Sequence, residues 1–168
     1  VSLSADGAVV AIGAIWNDGA GNGAGQVRVY KLISGNWVQL GADIDGEAAG
    51  DNAGFSVSLS SDGTKVAIGA YQNDGNGSNS GQARVYQYNG SAWVQVGADI
   101  NGESAGDSFG TGVSLSSDGT KLAVGADQND GAGTDAGQTR VYQYNGSAWI
   151  QTGADIDGEA AGDESGYS

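Results

Sequence analysis

Four carboxylates stand at offsets 0, 2, 4 and 8 of one short stretch, GADIDGEAAGD (Gly41–Asp51): Asp43, Asp45, Glu47 and Asp51. The stretch returns as GADINGESAGD (Gly97–Asp107), carrying Asp99, Asn101, Glu103 and Asp107. It returns again as GADIDGEAAGD (Gly153–Asp163), carrying Asp155, Asp157, Glu159 and Asp163. Oxygens at alternate positions of a loop can wrap a hard cation, and Ca2+ is the one that takes about six to eight of them. The pattern departs from an EF-hand loop in two places. Its glycine is the fourth residue, and the twelfth, where an EF-hand has a bidentate Glu, is Gly54, Gly110 or Gly166. The competing reading is a connector whose Asp side chains cap backbone amides in turns. The connector is favoured, with Ca2+ kept as the candidate ligand.

Other side chains recur at fixed places. Asn17-Asp18-Gly19, Asn73-Asp74-Gly75 and Asn129-Asp130-Gly131 form a second acidic loop, and Arg28, Arg84 and Arg140 are the cations that appear at one place in every repeat. A structural Arg–Asp bridge between these two sets is expected in preference to a ligand site. Trp37, Trp93 and Trp149 recur likewise. An exposed Trp can stack on a sugar, which makes glycans a candidate partner, but a Trp at fixed register is expected to pack. Catalysis has little to work with. The chain has no His and no Cys, so thiol and Ser-His triads are excluded. Paired carboxylates can hydrolyse glycosides, yet repeated identical loops do not make one asymmetric site. Ser60-Ser61-Asp62-Gly63 also misses the Ser-x-Asp-x-Gly spacing of a sialidase box. A non-enzyme is expected.

Composition narrows the partners. Six Lys plus Arg against twenty Asp plus Glu give a net charge of −14, which repels nucleic acid and anionic membranes. No apolar run approaches the roughly eighteen residues of a membrane helix, so no membrane insertion is expected. The absence of Cys leaves no disulfide framework. There is no Met, so a longer precursor or a trimmed chain is expected.

A repeat positions the acids. VSLSADG at Val1 and VSLSSDG at Val57 and Val113 open three units, 1–56, 57–112 and 113–168. The last two share 40 of 56 residues, so each is read as the same supersecondary unit. The 32 glycines, without a collagen period, mark turns between short strands, and no helical periodicity with a cap is present. Four strands are expected per unit: FSVSLS (55–60), TKVAIGA (64–70), QARVYQY (82–88) and SAWVQVG (91–97). Asn89-Gly90 is expected to make a tight hairpin with both residues at positive φ. Val66–Ala70 is apolar on both faces, as a strand covered on both sides must be. Four-stranded antiparallel blades packed face to face, an all-β propeller-type architecture, satisfy these patterns better than a β-solenoid, whose coils are usually shorter.

DSFGTGVSLSSDGTKLAVGA (Asp107–Ala126) resembles the FG-GAP repeat of integrin-α-type β-propellers. Phe109-Gly110, Gly125-Ala126 and Gly137-Gln138-Thr139-Arg140-Val141-Tyr142 fall in the family's order, while the other connectors read Ala53-Gly54 and Ser165-Gly166. The Ser-Asp-Gly turn before a Val-Ala-Ile-Gly strand is also similar to WD-repeat blades. The family binds calcium in the loop between its first two strands. Here that loop holds a single carboxylate (Asp6, Asp62 or Asp118), so the family's site does not carry over.

The resemblance implies an outer-surface or secreted setting. A structural or adhesive module is the expected role, with a lectin-like ligand-binding propeller as the alternative. The acidic connectors are expected on an exposed rim between units. Three blades are too few to close a ring, since propellers have about four to eight. Copies of the chain are therefore expected to meet head to tail, as a ring or a filament, unless further repeats continue the array.

Overall fold

A computed structural model describes residues 1–168, and it contains strands and turns but no helix. Each unit forms its own antiparallel sheet. The first comprises β1 (Ser2–Leu3), β2 (Val9–Gly13), β3 (Gln26–Ile33), β4 (Asn36–Gln39) and β5 (Ile44–Asp45). The second comprises β6 (Ser56–Leu59), β7 (Lys65–Ala70), β8 (Gln82–Tyr88), β9 (Trp93–Gln95) and β10 (Ile100–Asn101). The third comprises β11 (Phe109–Leu115), β12 (Lys121–Ala126), β13 (Gln138–Tyr144), β14 (Trp149–Gln151) and β15 (Ile156–Asp157). Strands one to four of each sheet lie side by side in sequence order, the meander expected of a blade.

The fifth strand was not anticipated. β5 shares the outer edge of β3 with β4: β4 pairs with Tyr30–Ile33 while β5 pairs with Gln26 and Val27. The acidic connector thus begins as a two-residue strand, with Ile44 and Ile100 buried in the core and the neighbouring acids turned outward. The hairpins differ from expectation too. Ser34-Gly35, not Asn89-Gly90, takes positive φ at both positions (50° and 82°), so that β3 and β4 pair right up to Ile33 and Asn36. Of the Asn89-Gly90 pair only Gly90 is at positive φ. Asn89 instead accepts three hydrogen bonds at Oδ1, from Ser91 N–H, Ser91 Oγ–H and Ala92 N–H, making an Asx-stabilised wider turn.

Stacking of the sheets buries both faces of the central one. Val66, Ala67, Ile68 and Ala70 are all buried. Val66 and Ile68 pack with Val9, Ala11, Val27 and Val29 of the first sheet. Ala67, Ala83 and Val85 pack with Leu122, Val124 and Tyr142 of the third. Backbone contacts pin the stack. Ala5 N–H donates to Ser61 O at 2.8 Å, and Ser61 N–H donates to Ser117 O at 2.9 Å. Ser2 Oγ and Ser58 Oγ accept the amides of Leu59 and Leu115, each one unit further on.

Two glycine positions set how close the sheets come. A Cβ on Gly69, near the end of β7, would lie 2.0 Å from the carbonyl oxygen of Gly110 at the start of β11 in the next sheet. Gly13 meets Gly54 O and Gly125 meets Gly166 O in the same way. Gly110 itself is at φ 98°, a conformation L side chains rarely adopt. The Gly of Phe-Gly and the Gly of Gly-Ala are therefore two halves of one backbone contact. Gly69→Ala is expected to destabilise the fold by about 2 kcal/mol or more, because rigid backbone must move. Gly50→Ala, at φ 90° but with open space around it, is expected to cost only about 1 kcal/mol. Urea denaturation of the two variants checks the order.

Candidate functional site

The acids gather along two seams where one sheet meets the next, and the last acid of each connector does the structural work there. Asp51 and Asp107 are 3% and 5% exposed, not on an open rim as expected. Asp51 Oδ2 accepts the amides of Glu47 and Ala48 at 3.2 and 2.9 Å, and Asp107 Oδ2 accepts the Ser104 amide at 3.0 Å. These are the turn caps that the connector reading called for. The same oxygens then accept the side-chain amides of Asn73 (3.1 Å) and Asn129 (3.0 Å) from the following unit. Asn of the Asn-Asp-Gly loop is thus the inter-unit clip. In the third connector Asp163 caps Ala160 N–H at 2.9 Å and is exposed.

The arginines do not bridge Asp18, Asp74 or Asp130. Those carboxylates brace their own loops instead, accepting the amides of Gly23, Asn79 and Asp135 at 2.8 Å. The expected Arg–Asp bridge is therefore corrected to Arg–connector pairs. Arg84, its side chain 6% exposed, reaches Glu47 across the seam at 3.6 Å and donates to Asp45 O at 3.0 Å. Arg140 pairs with Glu103 across the second seam and with Asp155 in its own unit. Arg28 pairs only within its own unit, with Asp43 at 3.1 Å. The loops were nearer in sequence register, but each Arg lies one register step from the short connector strand, which sequence spacing does not reveal.

The remaining connector acids, Glu159 excepted, also have protein donors. Gln26 Nε2 donates to Asp43 (2.7 Å) and Asp45 (2.9 Å), and Gln39 Nε2 donates to Asp43 (2.6 Å). The Gln39 amide first, and Arg28 second, hold the Asp43 carboxyl below its usual range. Gln82 bridges Glu47 and Asn101, Gln138 donates to Asp157, and Gln95 and Gln151 donate to Asp99 and Asp155. Glu159 is exposed and makes no ion pair. Buried Gln26, Gln82 and Gln138 were missed at the level of sequence, although Gly-Gln two places before the Arg recurs in all three units.

As a ligand site, the seam between the second and third units is a polar cleft of about 550 Å³ lined by Glu103, Asp107, Asn129, Asp130, Asp155 and Asp157. Its surface suits hydrogen-bond donors such as sugar hydroxyls. Nowhere do three or more carboxylates converge at metal-binding separation. Eleven of the twelve connector residues accept from amide or guanidinium groups of the protein, and Glu159 is the exception. Trp93 and Trp149 are half-buried, each donating Nε1–H to a carbonyl of the preceding unit, Leu40 O and Val96 O, at 2.8 Å. They pack as expected. Trp37 does not, being 49% exposed.

The single Asp of each Ser-Asp-Gly loop is a turn device. Asp118 accepts Ser116 Oγ–H at 2.6 Å and Thr120 N–H at 3.0 Å, and Asp62 does likewise with Ser60 and Thr64. These bonds, Ser116 foremost, pull the Asp118 carboxyl down to about 2. Asp127 is the opposite case: burial raises its pKa, and its Oδ1 has no partner.

Stacked antiparallel blades of this kind define a β-propeller-type repeat module. The family model described as the FG-GAP repeat matches residues 34–86, which run from the turn after β3 into β8. The matched stretch contains Gly54 and Gly69, whose close approaches to neighbouring backbone were described above. No curated protein matches the chain.

Two outcomes follow from the seam geometry. Asn129→Ala leaves the buried Asp107 oxygen short of a donor and is expected to lower stability by about 2 kcal/mol in urea denaturation. The acid side distinguishes Asp118 from Asp127. A lowered folded pKa gives stability that is present above the unfolded value of 3.8 and lost as pH falls toward about 2. Asp118→Asn is therefore expected to lower the melting temperature at neutral pH and to match the parent near pH 2. For Asp127 the raised pKa means stability is present below 3.8 and lost as pH rises through the folded value, so Asp127→Asn is expected to raise the melting temperature at neutral pH.

Proposed function

We propose that the chain is a non-enzymatic structural or adhesive module of the cell exterior, in which repeated blades are scaffold and the acidic seams hold successive blades in register. The observation that carries this is the recurrence of one set of contacts at both seams: Asn73–Asp51 and Asn129–Asp107, Arg84–Glu47 and Arg140–Glu103, Trp93–Leu40 and Trp149–Val96. Residues occupied in this way serve cohesion, and a site repeated without variation favours a scaffold over one asymmetric active centre. The FG-GAP repeat supports an outer-surface or secreted setting, since such repeats are typical of surface proteins. The connector acids act in this reading as acceptors for Asn, Gln and Arg, and calcium is not needed to hold the seam.

A second reading, a lectin-like module, rests on the polar cleft between the second and third units. A glycan array probed with and without calcium separates the two. No sugar binding in either condition is expected, and reproducible binding that Glu103→Gln with Asp130→Asn removes would replace the scaffold reading. The melting temperature is expected to be the same in excess chelator as in millimolar calcium, because a ligand selective for the folded state would raise it by mass action.

A further inference from the structure

Five Asn-Gly pairs stand in the chain: Asn22-Gly23, Asn76-Gly77, Asn89-Gly90, Asn101-Gly102 and Asn145-Gly146. An Asn side-chain carbonyl carbon can be attacked by the backbone nitrogen of the next residue, and glycine has no side chain to shield that nitrogen. The sequence offers all five pairs the same reaction. The fold does not.

In three pairs the attacking nitrogen is engaged. Gly23 N–H donates to Asp18 Oδ1 at 2.8 Å, Gly77 N–H to Asp74 O at 3.1 Å, and Gly102 N–H to Gly81 O at 2.9 Å. Gly23 and Gly102 are also buried. Two of these asparagines serve the seams and connectors: Asn76 Nδ2 donates to Gly102 O at 2.8 Å, and Asn101 Oδ1 accepts from Gln82 Nε2 at 3.3 Å.

The other two pairs sit at the tips of the β8–β9 and β13–β14 hairpins and are exposed. Gly90 N–H and Gly146 N–H donate to nothing, and a Cβ on either glycine would meet nothing within 4 Å. Asn89-Gly90 is open in this way although a sheet packs on each side of its own. The side-chain carbonyl is primed as well. Asn89 Oδ1 accepts from Ser91 N–H, Ser91 Oγ–H and Ala92 N–H, each at 3.0 Å. Asn145 Oδ1 accepts from Ser147 N–H, Ser147 Oγ–H and Ala148 N–H at 2.9, 3.0 and 2.9 Å. Three donors polarise the carbonyl and stand where negative charge develops when Cγ is attacked.

We propose that the fold directs deamidation to Asn89 and Asn145 and shields Asn22, Asn76 and Asn101, with water as the only other reactant. The Gly90 nitrogen loses its proton to hydroxide and bonds to Asn89 Cγ. The Cγ–Nδ2 bond breaks, and Nδ2 takes up a proton from water and leaves as ammonia. Water then opens the cyclic imide at either carbonyl, leaving aspartate or isoaspartate. No electron is transferred: an amide and water become a carboxylic acid and ammonia. Each event places a new negative charge on the hairpin that carries Trp93 or Trp149, the indoles that clip one unit to the next.

The test incubates the folded full chain in mildly alkaline buffer and follows each Asn by peptide mapping with fragment sequencing, which reads a mass gain of water less ammonia. Asn89 and Asn145 are expected to gain it first. Asn22, Asn76 and Asn101 are expected to react at least about tenfold more slowly, because their glycine nitrogens must first give up a hydrogen bond. In urea the five rates are expected to converge. Ser91→Ala supplies an internal control, since Gln-Tyr-Asn-Gly-Ser-Ala-Trp is common to both tips and only Asn89 loses a donor. In the folded variant, its strands verified by circular dichroism, Asn89 is expected to react severalfold more slowly than Asn145, and in urea at the same rate. Equal rates at all five pairs in the folded chain overturn the proposal, as does modification led by Asn22, Asn76 or Asn101. An order of reaction that persists in urea also overturns it, because the preference then lies in the sequence and not in the fold. A folded Ser91→Ala variant in which Asn89 keeps pace with Asn145 overturns the part given to the Oδ1 donors.

Discussion

A strand that is apolar on both faces cannot be satisfied by one neighbour. Val66, Ala67, Ile68 and Ala70 present hydrocarbon to both sides of the middle sheet, and water is excluded only when a sheet lies on each. Every other feature follows from that demand. Sheets that stack need small residues where backbones meet, and Gly69 against Gly110 supplies them. They need turns short enough not to interfere, and the Ser-Asp-Gly and Asx turns supply those.

Apolar faces give cohesion without direction, since hydrophobic contact tolerates sliding. Register comes from the polar edge. Asn129 reaching Asp107, Arg140 reaching Glu103 and Trp149 reaching Val96 O each have one geometry, and together they allow a single offset between neighbouring sheets. Asp107 has a dual role, since one oxygen holds its own turn through Ser104 N–H and the next unit through Asn129. The acidity of the chain is thus partly internal wiring. The abundance of carboxylates matches an abundance of amide donors, above all Gln26, Gln82 and Gln138, more than it matches any shortage of cations.

The first unit departs from the others at several of these positions. Leu32 stands where Tyr88 and Tyr144 stack on Trp93 and Trp149, and Val9 stands where the other units have Lys65 and Lys121. Val9 packs instead into the core against the second unit. Trp16 occupies the place of Gln72 and Gln128, which accept hydrogen bonds from Asn52 and Ser108 one connector earlier.

Much of the fold was legible in the residues themselves. A 56-residue period, alternating strands and two-faced VAIGA determine stacked antiparallel sheets, because periodicity two and the burial of both faces are properties of local sequence. The turn role of Asp62 and Asp118 was legible for the same reason, as their partners lie two residues away. Partners far apart in the chain were not. Asn73 meets Asp51 and Arg84 meets Glu47 because a two-residue strand, Ile44–Asp45, swings the connector back along the edge of β3. Spacing alone gives two readings of those four acids, a capped connector and a loop around an ion. Only the tertiary structure decides that Asp43 and Asp45 share the Gln26 donor of their own unit while Glu47 and Asp51 take donors from the next, since the free energy of an ion pair depends on distance across the seam and not along the chain.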